Sequence, residues 1–146
     1  MPSADAISPE PPRGSSAITS YHAHLYWRSP AERAIALQVR QWIGERFGVA
    51  MGRVHEQPVG PHTDPMYQVA FTTDVFPRLV PWLMLNRGPL SVLIHPNTGR
   101  ARDDHLLHAL WLGQPLPLRE EVLPNEPGTD GIDHPVVNTA PDRSSE

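Results

Sequence analysis

The chain is predicted to adopt an α+β fold of the ferredoxin-like type, and three features predict it. Patterned segments follow one another in the order β-α-β-β-α-β. The first and third strand-like segments alternate along their length with the period of two that a pleated strand imposes. The helical segments between strands carry start and stop residues at their ends. The expected architecture is a four-stranded antiparallel sheet with two helices on one face, strands one and three central, plus a short C-terminal helix.

The opening strand is "AITSYHAHLYW" (residues 17–27), rich in aromatic and β-branched residues. Alternation puts Tyr21, Ala23, Leu25 and Trp27 on one face and Ser20, His22, His24 and Tyr26 on the other. "SPAE" (29–32) supplies Ser29 as helix N-cap, Pro30 at the first helical position and Glu32 to close a capping box. Ile35, Val39, Trp42, Ile43 and Phe47 then recur at helical spacing, and Gly48 fits a C-terminal cap. "GRVHEQPV" (52–59) reads as a short second strand, placed at an edge by Pro58. "GPHTDP" is a loop, and "MYQVAFTT" (66–73) is the third strand. "DVFPRLVPWLMLNRG" (74–88) is the second helix, with Asp74 as its cap, Pro77 in the first turn, a proline interruption at Pro81 and Gly88 as its end. "PLSVLIHPNTG" (89–99) is the fourth strand, closing in a tight turn at Asn97–Gly99. "DDHLLHALWLG" (103–113) reads as a third helix with His105 and His108 three apart on one side.

Composition narrows the function. The 18 prolines are concentrated toward the termini, so residues 1–16 and 119–146 read as tails around a domain at 17–118. The 12 basic residues are all arginine and form no basic run, and the net charge is −4, which argues against nucleic-acid binding. With no cysteine, thiolate catalysis, Cys-ligated zinc and disulfides are excluded. No signal-peptide pattern and no apolar stretch of membrane-spanning length is present, so the default expectation is a cytoplasmic protein that does not engage a membrane.

Seven of the eight histidines fall between residues 22 and 108. If the helices cover the face of Leu25, then Val54, Tyr67, Val69, Phe71, Val92 and Ile94 are buried beneath them. The opposite face collects His22 and His24, His55, Gln68 and His95 from four strands. Each residue alone has a bland reading: an H-x-H pair on a half-exposed strand, a surface His55, a His95 that only braces its turn, a solvated His105–His108 helix face. Their coincidence on one face is what points to a His-lined metal or acid–base site. Nitrogen ligands with at most one carboxylate suit Fe(II), Mn or Zn.

The segments "YHAHLYW", "HEQPVGPH", "MYQVAF", "PWLMLNRGPLSVLIHPNTG" and "DDHLLHALWLG" resemble the DOPA 4,5-dioxygenase family, over about residues 20–115. The resemblance implies a ferredoxin-like fold, a homodimer, and extradiol ring cleavage of L-DOPA or a related catechol with dioxygen and Fe(II), with Zn or Mn as possible substitutes. Such a site needs metal ligands with open positions, a base for a catechol proton and an acid for a later step. Face and motif nominate His22, His24 and His95 as ligands and His62 and His105 as acid–base groups. His55, Gln68, Arg87 and His108 are candidate substrate contacts, with Arg102 an alternative to Arg87 for a substrate carboxylate. The usual two-His, one-carboxylate pattern is not evident, and Asp64, Asp103 or Asp104 would have to swing in to complete it. The reading from another class is a non-catalytic binding module, holding a small molecule or zinc on a dimeric scaffold of the same fold.

Overall fold

The computed structural model describes residues 10–124. Its strands are β1 (Ser20–Tyr26), β2 (Ala50–Met51), β3 (Met66–Phe71), β4 (Ser91–Asn97) and β5 (Leu110–Leu112). The helices are α1 (Pro30–Arg46), α2 (Phe76–Asn86) and α3 (Ala101–Leu106). The strands form one antiparallel sheet in the order β2-β3-β1-β4-β5. Strands one and three are interior, as expected, but the sheet has five strands rather than four.

The extra strand comes from the segment expected to be helical. α3 ends at Leu106, and Leu110–Leu112 pair with Val92–Ile94 of β4. No Gly or Pro stops the helix between 101 and 112, so local sequence does not mark the switch. The open edge of β4 decides it, because a ladder of backbone hydrogen bonds satisfies donors and acceptors that would otherwise stay unpaired. Gly113, at φ +75, turns the chain away immediately afterwards, where a Cβ would lie 3.0 Å from the Leu90 carbonyl oxygen.

The second strand is also shorter and earlier than expected. Only Ala50 and Met51 pair with β3, and the expected segment 52–59 contributes a single bridge, His55 to Met66. Pro58 and Gly60 break the pattern beyond it. Ser29 caps α1 by accepting from Glu32 N–H, while the Glu32 carboxylate reaches the Arg28 N–H rather than that of Ser29. The helix ends at Arg46 with Phe47 extended, so Gly48 is not its left-handed cap. On α2 no side chain caps the N-terminus, since Asp74 instead accepts from Thr72 Oγ1. That helix runs past Pro81 to Asn86, with Pro81 on its exposed side.

The two long helices cover the face predicted for them. Ala36, Val39 and Ile43 of α1 and Leu79, Val80 and Leu83 of α2 pack on Leu25, Val69, Phe71 and Val92. Ile35 and Trp42, expected in this core, are each 37% exposed at its margin. Tyr67 donates from its hydroxyl to the Ala36 carbonyl, pinning α1 to β3. A second, smaller cluster forms on the opposite face from Tyr26, Met66, Leu93 and Leu116, with Trp111 packed against it. Residues 119–124, placed in the C-terminal tail from composition, still bond to the domain: Arg119 N–H donates to the Pro61 carbonyl and Arg102 N–H to that of Pro124. The remainder of both tails, His134 included, lies outside the described residues. Among the described residues no helix is long and apolar enough to cross a membrane.

Leu25, fully buried on the central strand, should be far costlier to truncate than Leu85, which is 86% exposed. Leu25→Ala is expected to cost about 2–5 kcal/mol in urea denaturation, and Leu85→Ala less than about 0.5 kcal/mol.

Candidate metal centre

The register between β1 and β4 builds the centre. His22 stands directly opposite His95, and His24, opposite Leu93, lies diagonal to it on the same face. The three side chains are buried. Ring centroids of His22 and His95 are 5.1 Å apart, and those of His24 and His95 5.2 Å. The Nε2 atoms of His24 and His95 approach to 3.2 Å.

Two further histidines arrive from outside the sheet. His62 sits in the loop after Gly60, where it bridges to Leu118 and its ring lies 4.2 Å from that of His24. The loop is held by Arg119 N–H on the Pro61 carbonyl and Thr63 Oγ1 on that of Pro117. His105 projects from α3 to within 3.8 Å of the His95 ring and 6.0 Å of the His24 ring, centroid to centroid. The α3 start is fixed by Asp104, whose buried carboxylate accepts from the Thr98 N–H and hydroxyl. Five imidazoles therefore surround one volume, grouped as His22–His24–His95 and His24–His62–His105 around a shared His24.

Hydrogen bonds orient several of these rings. His95 Nδ1 donates to the Pro96 carbonyl and His105 Nδ1 to that of Ala101, which leaves each Nε2 with its lone pair. His62 Nδ1 is 2.7 Å from the Tyr26 hydroxyl. His24 Nδ1 is buried without a hydrogen-bond partner among the described residues. Leaving such an atom unsatisfied costs about 1–3 kcal/mol.

The donor set fits a transition metal. Nitrogens bound at about 2.1 Å and subtending 90–110° would be roughly 3.0–3.4 Å apart, matching the 3.2 Å between His24 and His95. Metal ligation requires neutral imidazole, and the surroundings enforce it. Burial, followed by the neighbouring imidazoles, holds His24 well below the usual histidine range. The same causes lower His95, against the Pro96 hydrogen bond that raises it. His62 is pushed down to about 3, chiefly by burial and then by His105. Burial raises the Tyr26 hydroxyl, so it stays protonated as a donor or acceptor for His62. Neither grouping contains a carboxylate, and Asp104 is committed to Thr98.

The other nominated residues divide. Gln68, opposite His24 across the β1–β3 ladder, shares the histidine face. His55 lies farther out at its bridge to Met66. Arg87 caps the C-terminal end of α2, on the other side of the sheet, and donates to the Met84 carbonyl. Arg102 of α3 donates to the Glu120 carbonyl. His108 follows α3 instead of sharing its side with His105; it is exposed, and its Nε2 accepts from Arg13. Sequence reasoning gives Tyr26 no role in the site, although its parity with His24 is readable, and offers Asp104 only as a carboxylate that could swing onto the metal, where the structure has it bound to Thr98.

Residues 21–122 match the model of the Dopa 4,5-dioxygenase family. The chain belongs to that family. It is 32% identical over 117 residues to the DOPA 4,5-dioxygenase of Amanita muscaria, covering 75% of this chain and 51% of that protein. It is 36% identical over 115 residues to a protein of Botryotinia fuckeliana named only as an uncharacterized 21.2 kDa protein, covering 73% of this chain and 61% of the relative. The chain thus spans about half to three fifths of the length of these curated relatives. A crystal structure from Nostoc punctiforme, provisionally named a dioxygenase, matches with a TM-score of 0.74 and 46% identity, covering 76% of this chain and 96% of that one.

The buried histidines set a pH dependence. Their folded pKa values lie below that of an unfolded histidine, about 6.5, so below that pH the unfolded chain binds more protons and stability falls with pH. Each group contributes at most about 1.4 kcal/mol per pH unit across this window. In chelator-treated protein the urea midpoint is expected to drop between pH 7 and 5, and to drop less steeply in His24→Gln. A flat profile over that range would mean that the rings are solvated.

Proposed function

We propose that this chain is a metal-dependent extradiol ring-cleaving dioxygenase acting on L-DOPA or a related catechol. The observation that carries this reading is the all-nitrogen cluster of five imidazoles, four of them buried, in a member of a family named for such an enzyme. His22, His24 and His95 would hold Fe(II), because they project from adjacent strands fixed in register. Bound there, the metal would supply a path for electron density from the catecholate to dioxygen.

The remaining chemistry falls to the protein's own groups. His105 keeps its Nδ1 proton on the Ala101 carbonyl, so its Nε2 can take a catechol proton. His62, braced by Tyr26, is the second base, and once protonated returns a proton as the ring bond breaks. Burial lets His62 act from the neutral state, and the proximity of both rings to His24 puts them within reach of a substrate held there. Gln68 borders the same face and can hydrogen-bond a substrate oxygen.

The test is oxygen uptake by metal-stripped protein reloaded anaerobically with Fe(II), on adding L-DOPA or simpler catechols. The expected outcome is one O₂ consumed per catechol with a yellow ring-opened product. His24→Ala or His95→Ala should abolish uptake and iron binding together, and His62→Gln should cost about 10²–10⁴ in rate with iron retained. Silence across a catechol panel with iron bound would remove ring cleavage and leave a non-catalytic binding module.

A further inference from the structure

A second feature lies on the other side of the sheet. A cavity of about 330 Å³ opens between the N-terminal segment, the start of α2 and the β4–β5 edge. Its walls include Tyr21, Phe76, Ile94, Pro96 and Leu110. Ile94 and Leu110 are partners across the β4–β5 ladder, and alternation along β4 turns Ile94 away from the side that His95 faces. Tyr21 and Phe76 pack ring to ring at 4.6 Å with their planes 39° apart, giving one wall an aromatic surface. None of these residues belongs to the histidine groupings.

Besides Ser15 and Thr98, the polar side chains lining this cavity are a bonded pair. Arg13 and His108 both line it, and the Arg13 guanidinium donates to His108 Nε2 at 3.2 Å. The hydrogen-bond partner of the Arg13 side chain is this imidazole and not a carboxylate. A planar cation with one of its donors on a ring nitrogen retains others for an anion, and a guanidinium matches a carboxylate in a two-point contact. Apolar aromatic walls with one converging cation are the ordinary make-up of a small-ligand pocket, and the volume is at the low end of such pockets. That size suits a single ring.

We infer that this cavity is a second small-molecule site, taking a one-ring aromatic carboxylate with its ring against Tyr21 and Phe76 and its carboxylate on Arg13. The inference is independent of ring cleavage and of any metal. Phenylacetate is titrated calorimetrically into the full chain treated with chelator, alongside the uncharged 2-phenylethanol. Saturable binding of phenylacetate at one per chain is expected, at least tenfold tighter than that of the alcohol. In Arg13→Gln the alcohol should bind as before and the preference for the acid should vanish. Absence of saturable phenylacetate binding, or a preference for the acid that persists in Arg13→Gln, would overturn the assignment.

Discussion

The pairing of β1 with β4 is the constraint on which the rest of the site depends. Because side chains alternate with a period of two, the register that opposes His22 to His95 also commits Ala23, Leu25 and Ile94 to the helix-covered core. A slip of one residue would bury imidazoles beneath α1 and α2 and expose the core. Thus the hydrophobic effect that anchors β1 also fixes the histidines relative to one another. The 3.2 Å between His24 and His95 follows from apolar packing on the reverse side of the same strands.

Closing the histidine face takes three segments that are not part of the expected four-stranded sheet. β5 and the chain after it supply Trp111, Leu116 and Leu118, which pack around Tyr26 and Leu93. Leu118 and Arg119 pin the loop carrying His62, and α3, held by Asp104 on Thr98, brings in His105. These additions turn an open sheet surface into a dry enclosure. Burial then keeps the imidazoles neutral, the protonation state in which they can serve as ligands or bases.

The sequence made the faces of the strands readable but not the ends of the elements. Alternation in "SYHAHLYW", with the parity of a pleated strand applied to "SVLIHP", is enough for the shared face of His22, His24 and His95 to be read without a structure. The capping function of Ser29 was equally plain, since N-cap chemistry acts within one helical turn. The switch from α3 to β5 was not, because Leu110–Leu112 adopt a strand only against the edge of β4. Residues 52–59 failed for the converse reason: a plausible strand pattern formed a single bridge, His55 to Met66, beside one hydrogen bond from the Gly52 N–H to the Gln68 carbonyl. His62 was found through its motif, not through periodicity, and its contact with Tyr26 joins residues 36 positions apart. His108 was misassigned with His105 because the helix that would have aligned them stops at Leu106.

The composition of the donor set bears on what the proposed site would prefer to bind. In a site with two histidines and a carboxylate, the ligand cancels one of the two charges of a divalent ion. Here both histidine groupings lack a carboxylate, and the nearest buried one, Asp104, accepts two hydrogen bonds from Thr98. A divalent ion held by neutral imidazoles would keep its full charge in a low-dielectric enclosure, where that charge has its greatest effect on neighbouring groups. A ligand able to shed protons and bring negative charge is favoured over a neutral one under those conditions. Catechols meet that requirement when a base stands beside them, and His62 and His105 are the imidazoles that would stand there. For the proposed site, the lack of a carboxylate in both groupings would favour an acidic diol over a neutral ligand.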